Sequence, residues 1–245
     1  MAVLFEKFTD STHYQVRTAG SSIRLYTNGV FHTQYNPTRR HTGSVWDLLL
    51  VPTLLNTMSI RRTLLLGVGG GGIIHMLRSI NPTMEFIGVE IDPVHVNIAQ
   101  QFFDLDKPEI KLFANDAREF VEHYRGPSFD LIIDDLFGSK EQIVSRAFTC
   151  DQHWFNQLNN CLSSTGTLIC NFADLAEFKV SPFKTVKGHN PGFKSGFTTR
   201  LPTLANLIAA LCRDSFGQPL LEENTNAYFG KRQASKISIR SIPRR

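Results

Sequence analysis

Glycines and carboxylates recur in this sequence at spacings that suit chemistry on a nucleotide. The apolar run 64–66 leads into a glycine-rich stretch, 67–72, and a second apolar run ends at Glu90, eighteen residues after Gly72. Glycine permits a tight turn and lets a ligand approach the backbone closely. A carboxylate at a strand end can accept hydrogen bonds from both hydroxyls of a ribose. This spacing predicts a site for an adenosine-containing small molecule.

The glycine stretch by itself fits two kinds of cofactor. Gly67, Gly69 and Gly72 match the G-x-G-x-x-G fingerprint of dinucleotide-binding domains, with Glu90 at about the expected 20-residue distance. Gly67, Gly69 and Gly71 equally match the G-x-G-x-G turn of proteins that bind S-adenosylmethionine. The glycines therefore leave NAD(P) and S-adenosylmethionine open.

Further acids follow later strands. Asp116 comes just after the third predicted strand, and Asp134 and Asp135 end the fourth. Ligands of open α/β sheets lie beyond the carboxyl ends of the strands, so we expect these acids and Glu90 on one rim. Several carboxylates suit a cationic sulfonium or amine, which favours an adenosyl sulfonium over NAD(P). Two points stay open. Asp116 begins a capping box, so it could instead be the N-cap of the next helix. Strand alternation would send the side chains of Asp134 and Asp135 to opposite sides of the sheet.

The order of the elements predicts the fold. Strands are predicted at 62–67, 85–90, 110–113, 129–134 and 166–171, and helices near 71–80, 93–103, 116–124, 151–162 and 202–215. This alternation is typical of an α/β fold with a doubly wound, mostly parallel sheet. A terminal antiparallel hairpin is predicted over 219–231. The segment 178–200 is predicted to be a long loop, a candidate lid over a site.

The first part of the chain has a different pattern. Short alternating apolar and polar runs are separated by turn residues, including Asn28-Gly29, which is a strong hairpin signal. The pattern predicts a small antiparallel β element. We therefore divide the chain into an N-terminal β element (1–45), a nucleoside-binding α/β domain (46–232) and a basic C-terminal tail (233–245).

Composition narrows the class of protein. The 245 residues carry a net charge of +4, and no apolar run approaches the length of a membrane span. The four cysteines show no CxxC pairing, which predicts reduced, mostly buried thiols and a cytoplasmic protein. Two segments, 178–200 and 231–245, contain basic residues and no acid. Nucleic-acid binding stays open on that ground but is not favoured over solvated basic segments.

Five motifs together resemble a known family. The succession LLLGVGGGG, GVEIDP, FANDAREF, FDLIIDD and GTLICNF is similar to spermidine synthase and the related polyamine aminopropyltransferases, which share the fold of class I S-adenosylmethionine-dependent methyltransferases. The resemblance covers the chain from about residue 10 to residue 232. It implies a homodimer, an S-adenosylmethionine or decarboxylated S-adenosylmethionine co-substrate, and no metal.

The resemblance also implies roles for single residues. Glu90 would hold the ribose, Asp116 and Ala117 would face the adenine, and Asp134 would lie near the sulfonium. The backbone at Gly67, Gly69 and Gly71 would approach the nucleoside and its sulfur-bearing chain.

The sequence departs from the family pattern at several positions. The acid within the family's glycine turn is replaced by Gly70. Phe137 stands where the family's D-S-S-D-P segment has its second acid. In the family, this second acid is the base that deprotonates the attacking amine. The family's glutamine in the substrate loop is replaced near His32, and its Tyr-His pair is Trp46-Asp47. Without that base, a protonated amine is a poor nucleophile, since general-base help is worth ~10²–10⁴ in rate.

These residues favour a transferase that binds S-adenosylmethionine or a related adenosyl thioether and acts on a small-molecule acceptor, polyamine or anionic. Methyl transfer tolerates loss of the base, because it depends largely on positioning. Two alternatives remain. One is a divergent polyamine aminopropyltransferase in which Asp134 or Asp135 is the catalytic carboxylate. The other is an inactive nucleoside-binding module.

Overall fold

The chain begins with a small antiparallel sheet. The computed structural model describes residues 2–39, 41–140, 143–186 and 192–244. Four strands pair in chain order: β1 (Val3–Phe8), β2 (His13–Ala19), β3 (Ser22–Thr27) and β4 (Val30–Tyr35). Asn28 and Gly29 join β3 to β4 with positive φ angles of 51° and 79°, the backbone that a tight two-residue hairpin requires. The predicted N-terminal β element is therefore present.

The rest of the chain builds one large sheet. Its strands in chain order are β5 (Arg62–Leu66), β6 (Glu85–Glu90), β7 (Ile110–Ala114), β8 (Phe129–Asp134), β11 (Leu162–Phe172), β12 (Ser195–Arg200), β13 (Leu207–Cys212) and β14 (Ser238–Ser241); β9 (Phe137–Lys140) and β10 (Ile143–Arg146) form a separate hairpin. The spatial order is β14-β12-β13-β11-β8-β5-β6-β7. The five strands from β11 to β7 are parallel, and β13 runs antiparallel to both its neighbours. This order confirms the doubly wound, mostly parallel sheet.

Helices cover both faces of this sheet. They are α1 (Val45–Leu50), α2 (Gly72–Ile80), α3 (Pro93–Phe102), α4 (Ala117–His123), α5 (Gln152–Cys161), α6 (Leu175–Val180), α7 (Gln218–Phe229) and α8 (Lys231–Ala234). Leu65 packs into the core on the side of α1, α2 and α3, whereas Leu64 and Leu66 pack into the core on the side of α4 and α5. Tyr14 and Val16 of β2 join the first of these cores. The small sheet is thereby held beside the carboxyl end of β5.

No helix among the described residues is long and apolar enough to cross a bilayer.

Two predicted elements are wrong. The stretch 202–215 contains a buried strand, β13, instead of a helix, because a short run of apolar residues looks alike in both and here lies inside a sheet covered on both faces. The stretch 219–231 contains helix α7 instead of a hairpin. Pro219 lies in the first turn of α7, where its missing N–H costs nothing, and Gly230 ends it at φ 76°.

The basic segments are also partly regular. Within 178–200, predicted to be a loop, β12 pairs with β13 and β14, while 187–191 lie outside the described residues. Within 233–245, predicted to be a tail, β14 forms an edge strand of the main sheet. The division of the chain at residues 45 and 232 stays a prediction.

Replacing Gly67 by alanine is expected to lower the free energy of unfolding by more than the ~1–3 kcal/mol of a strained residue. Gly67 has φ 85°, and a Cβ there would overlap the carbonyl oxygen of Asp135 and lie 2.9 Å from its carbonyl carbon. Gly20 has φ 60° but open space around its Cβ position, so Gly20→Ala isolates the backbone strain. Urea denaturation measures both variants. Equal losses would contradict the close packing of the glycine turn on Asp135.

Candidate active site

A cavity of about 490 Å³ opens at the carboxyl ends of β5, β6 and β8. The chain connections change direction between β5 and β8, which is where open α/β sheets bind ligands. The lining comes from the glycine turn and strand ends of the main sheet, from β3 and β4 of the small sheet, and from the segment before β13. The small sheet therefore forms one wall of the site.

The structure brings only part of the predicted site together. The predicted residues that line the cavity are Gly67, Gly69, Glu90 and Asp135. The predicted residues that are absent from its lining are Gly71, Asp116, Ala117 and Asp134. The carboxylate of Asp116 caps α4 by accepting the N–H of Arg118 at 2.7 Å, which was the alternative left open by the capping box.

Glu90 ties the glycine turn to the end of β6. Its Oε2 accepts the N–H groups of Val68 at 3.0 Å and Gly69 at 2.9 Å, and its Oε1 accepts the N–H of Asp92 at 3.1 Å. A carboxylate offers about four lone-pair positions, so one position at Oε1 stays open. Glu90 is therefore both a buried anchor of the turn and an acceptor at the cavity wall.

The turn leaves no room for the acid that the family has at Gly70. A Cβ at Gly70 would overlap the Cγ2 of Thr33 in β4 and lie 3.0 Å from the Cζ of Phe103. Thr33 is buried and its hydroxyl accepts the N–H of Gly72 at 3.4 Å. The small sheet therefore packs so closely on the turn that a side chain at this position would collide with Thr33.

Asp135 faces the cavity and has a raised pKa. Its Oδ1 accepts a hydrogen bond from the side-chain amide of Asn171 at 2.7 Å, and Asn171 in turn accepts one from Asn206 at 3.0 Å. Burial raises the pKa of Asp135 to about 7, and the neighbouring Asp134 carboxylate raises it as well. A carboxyl with this pKa exchanges its proton near neutral pH.

The two asparagines were not predicted from the sequence. Asn171 lies at the carboxyl end of β11, where the same strand-end reasoning could have found it. Asn206 precedes β13, which was predicted as helix, so its position carried no usable signal.

Asp134 points to the other face of the sheet. Its side chain is fully buried, and both of its oxygens accept hydrogen bonds from Arg146 Nη2, at 3.1 and 2.9 Å. The indole N–H of Trp154 donates to Oδ2 at 2.9 Å. The alternation of strand side chains thus separates Asp134 from Asp135, and the geometry gives Asp134 a structural position.

Among the described residues, one cluster has the donor set of a metal site. The Sγ atoms of Cys150 and Cys170 lie within 4.8 Å of each other and of an Asp134 oxygen. The Arg146 guanidinium already neutralises this carboxylate, and the charge of Asp134 raises the pKa of Arg146. A second cation beside the guanidinium would be repelled, so the residues do not fit a metal ion.

Two histidines, His32 and His95, also line the cavity. His95 Nε2 lies 2.7 Å from the hydroxyl of Thr27, and its ring is 5.0 Å from that of His32, centroid to centroid. Burial lowers the pKa of His32 to about 4, helped by the nearby His95. The Nε2 of His32 is buried and has no hydrogen-bond partner in the part of the chain that the structure describes. His32 therefore brings a neutral imidazole to the cavity, at the position where the family has glutamine.

Residues 47–198, more than half of the chain, match the family model described as Spermine/spermidine synthase domain. The chain belongs to the spermine/spermidine synthase family. A polyamine aminopropyltransferase from Vibrio vulnificus is 25% identical over 191 residues, which is 74% of this chain and 60% of that enzyme. This member of the family thus spans about three fifths of the length of that relative.

Methyltransferases are also similar to part of this chain. An eEF1A lysine and N-terminal methyltransferase homolog from Drosophila melanogaster is 33% identical over 76 residues, 30% of this chain and 11% of that protein. Among solved structures, a probable spermidine synthase from Corynebacterium glutamicum has a TM-score of 0.76 at 14% identity, covering 99% of this chain and 92% of that one. Human methyltransferase-like protein 13 in complex with SAH has a TM-score of 0.54 at 19% identity, covering 79% and 90%. These structures show that the family member has the class I methyltransferase-like fold.

Asp135→Asn is expected to stabilise the protein above pH 7. Because the folded pKa is about 7 and a free aspartate has about 3.9, the folded state binds more protons between these values, and stability falls as pH rises through that window. The free energy of unfolding of Asp135→Asn does not fall in this way. Its excess over that of the parent chain should therefore shrink as the pH is lowered towards 4. Asp104→Asn, at a side chain 71% exposed, is the matched control and should run parallel to the parent. Urea denaturation at several pH values measures this, and a parallel profile for Asp135→Asn would contradict the assignment.

Proposed function

We propose that the cavity binds an adenosyl sulfonium and that the chain transfers a group from it to a small-molecule acceptor. The observation that carries this proposal is the meeting of the glycine turn, Glu90 and Asp135 at the switch point of the sheet. The described residues that line the cavity include three carboxylates and no lysine or arginine. This charge favours a sulfonium cation over a phosphate-bearing dinucleotide.

Glu90 is the proposed ribose-binding residue. One ribose hydroxyl can donate to the open position on Oε1 without breaking any of the three hydrogen bonds that Glu90 accepts. A second hydroxyl has to displace the N–H of Val68 or Gly69 from Oε2. Binding is thus expected to loosen the glycine turn while it fills the cavity. Ile91, 70% exposed beside Glu90, offers an apolar surface to the adenine.

Methyl transfer is the reaction we favour. Phe137, which stands at the position of the family's base, lines the cavity together with Gly138, so the segment after Asp135 brings no second carboxylate to it. Displacement at a methyl sulfonium needs mainly an aligned nucleophile. S-Adenosylmethionine is then the co-substrate, and S-adenosylhomocysteine the product.

One observation favours a second candidate. Asp135 faces the cavity with a pKa of about 7, which suits a general base that takes a proton from an ammonium group. Aminopropyl transfer from decarboxylated S-adenosylmethionine to a polyamine could use Asp135 in this role. We retain a homodimer and a cytoplasmic location as further proposals from the family.

The acceptor is proposed to be neutral or cationic. Among the described residues of the basic segment 178–200, no lysine or arginine lines the cavity, so nothing there supports an anionic acceptor. Three carboxylates and a neutral His32 instead suit an amine or a hydroxyl group.

Glu90→Gln is expected to weaken S-adenosylmethionine binding by at least about tenfold, because a hydrogen bond to a charged group is worth ~1.5–3 kcal/mol. Isothermal titration calorimetry measures the dissociation constant, and thermal unfolding checks that the glycine turn survives. Glu85→Gln is the matched control, since Glu85 lies at the opposite end of the same strand and is exposed. Unchanged affinity in Glu90→Gln would refute the ribose assignment, and no binding by the parent chain would refute the adenosyl site.

The two transfer reactions are separated by their nucleoside products. Putrescine is incubated with the protein and either S-adenosylmethionine or its decarboxylated form, and chromatography measures S-adenosylhomocysteine and methylthioadenosine. We expect no methylthioadenosine, because Phe137 and Gly138 supply no base. Release of methylthioadenosine that disappears in Asp135→Asn would establish the second candidate in place of methyl transfer.

A further inference from the structure

A second cavity lies on the far side of the glycine turn. It has a volume of about 580 Å³ and is enclosed by the β2–β3 turn, the end of β4 with the segment after it, and α2. Gly72 lines this cavity, whereas Gly67 and Gly69 line the first one. The same turn therefore separates two cavities, and none of the residues lining the second is shared with the adenosyl site.

The two cavities have opposite charge. The second contains Arg24, Arg39, His41 and His75, and no aspartate or glutamate is among the described residues that line it. Burial lowers the pKa of His75, whose Nε2 lies 2.6 Å from the carbonyl oxygen of Phe103, so the positive charge resides on the arginines. An arginine stays protonated at all physiological pH values. The second cavity is thus suited to an anion.

Within the described part of the chain, Arg24 has an aromatic neighbour, with its guanidinium carbon 5.8 Å from the centroid of the Phe31 ring, but no anionic one. It forms no ion pair among the described residues, and its Nε is buried without a hydrogen bond. In the register of β2 and β3 it lies directly opposite Arg17, another cation. Like charges directly opposite on neighbouring strands destabilise a sheet. An anion bound at Arg24 would relieve this repulsion and complete the hydrogen bonds of the guanidinium.

The remaining lining supplies neutral hydrogen-bond donors. Ser21 and Ser22 line the cavity with hydroxyl groups, whereas the hydroxyls of Thr38 and Thr42 donate to Asn36 and Asp47. On one wall the Tyr35 ring stacks on that of His75 at 3.7 Å, which offers a flat surface to the rest of a ligand. Phosphate has three strong acceptor oxygens and binds arginine in a bidentate way, so it matches two arginines and two serine hydroxyls better than a single carboxylate does.

We propose that the second cavity binds a small phosphate-bearing ligand, with its phosphate on Arg24 and Arg39. The site is separate from the adenosyl cavity and independent of the reaction proposed for it. Its occupant is recognised by charge and by the number of its acceptor oxygens.

Titration of the 245-residue chain with inorganic pyrophosphate in a phosphate-free buffer tests this, and isothermal titration calorimetry measures the binding. We expect saturable binding that weakens as salt is added, and at least about tenfold weaker binding in Arg24→Gln, since a charge-assisted hydrogen bond is worth ~1.5–3 kcal/mol. Arg17→Gln is the matched control: it removes the same charge from the opposite strand but lies outside the cavity lining. It should change the affinity by at most about fivefold.

Three outcomes would overturn the proposal. These are no saturable binding of pyrophosphate, equal weakening by Arg24→Gln and Arg17→Gln, and tighter binding of citrate than of pyrophosphate, which would indicate a carboxylate ligand. Adenosine monophosphate, compared with pyrophosphate, distinguishes a nucleotide from a free phosphate as the source of the group. If Arg24→Gln fails to fold, Arg39→Gln at an exposed position gives the same test. The affinity for S-adenosylmethionine should stay unchanged in Arg24→Gln and in Arg39→Gln. A failure of the phosphate proposal would therefore not count against the adenosyl site.

Discussion

The buried ion pair of Asp134 and Arg146 is the constraint on which the site depends. Removing two charges from water costs several kcal/mol each, and a pair is tolerated only when its hydrogen bonds are satisfied. Here Asp134 also accepts from Trp154, while Arg146 donates to the backbone carbonyl of Asn171 at 2.6 Å and lies 3.1 Å from Glu177. These contacts tie the end of β8 to β10, β11 and α5. The backbone is thereby fixed at the residue before Asp135.

The two consecutive aspartates show how position decides chemistry. Asp134 is paired with a cation and held for structure, whereas Asp135, on the other side of the backbone, meets only the neutral amide of Asn171 and feels the charge of Asp134. Burial with a neutral partner keeps the proton on a carboxyl at a higher pH. The same dipeptide thus supplies an anchor and a titratable group facing the cavity.

The glycine turn divides the molecule electrostatically. Glu90 accepts hydrogen bonds from the N–H groups of Val68 and Gly69 on the side of the first cavity, and Arg24 lines the second cavity on the other side. Thr33 of the small sheet packs on Gly70 between them. The departure from the family's glycine turn is consequently part of how the two sheets fit together, and a larger residue at Gly70 would require the small sheet to move.

Local patterns in the sequence were sufficient for the parallel half of the main sheet, the Asn28-Gly29 hairpin and the rim that carries Glu90, because strand periodicity and turn chemistry act over a few residues. They failed at β13 and α7, where an apolar run or a proline is compatible with two structures and burial between other elements selects one.

Local patterns also could not decide which side chains reach the cavity. Asp116 caps its own helix and Asp134 turns into the core, since each carboxylate binds the donors that neighbouring elements bring to it. The sequence alone determined the fold and the edge of the sheet that carries the site, whereas packing between distant segments decided that Asp135, Asn171 and His32 face the cavity.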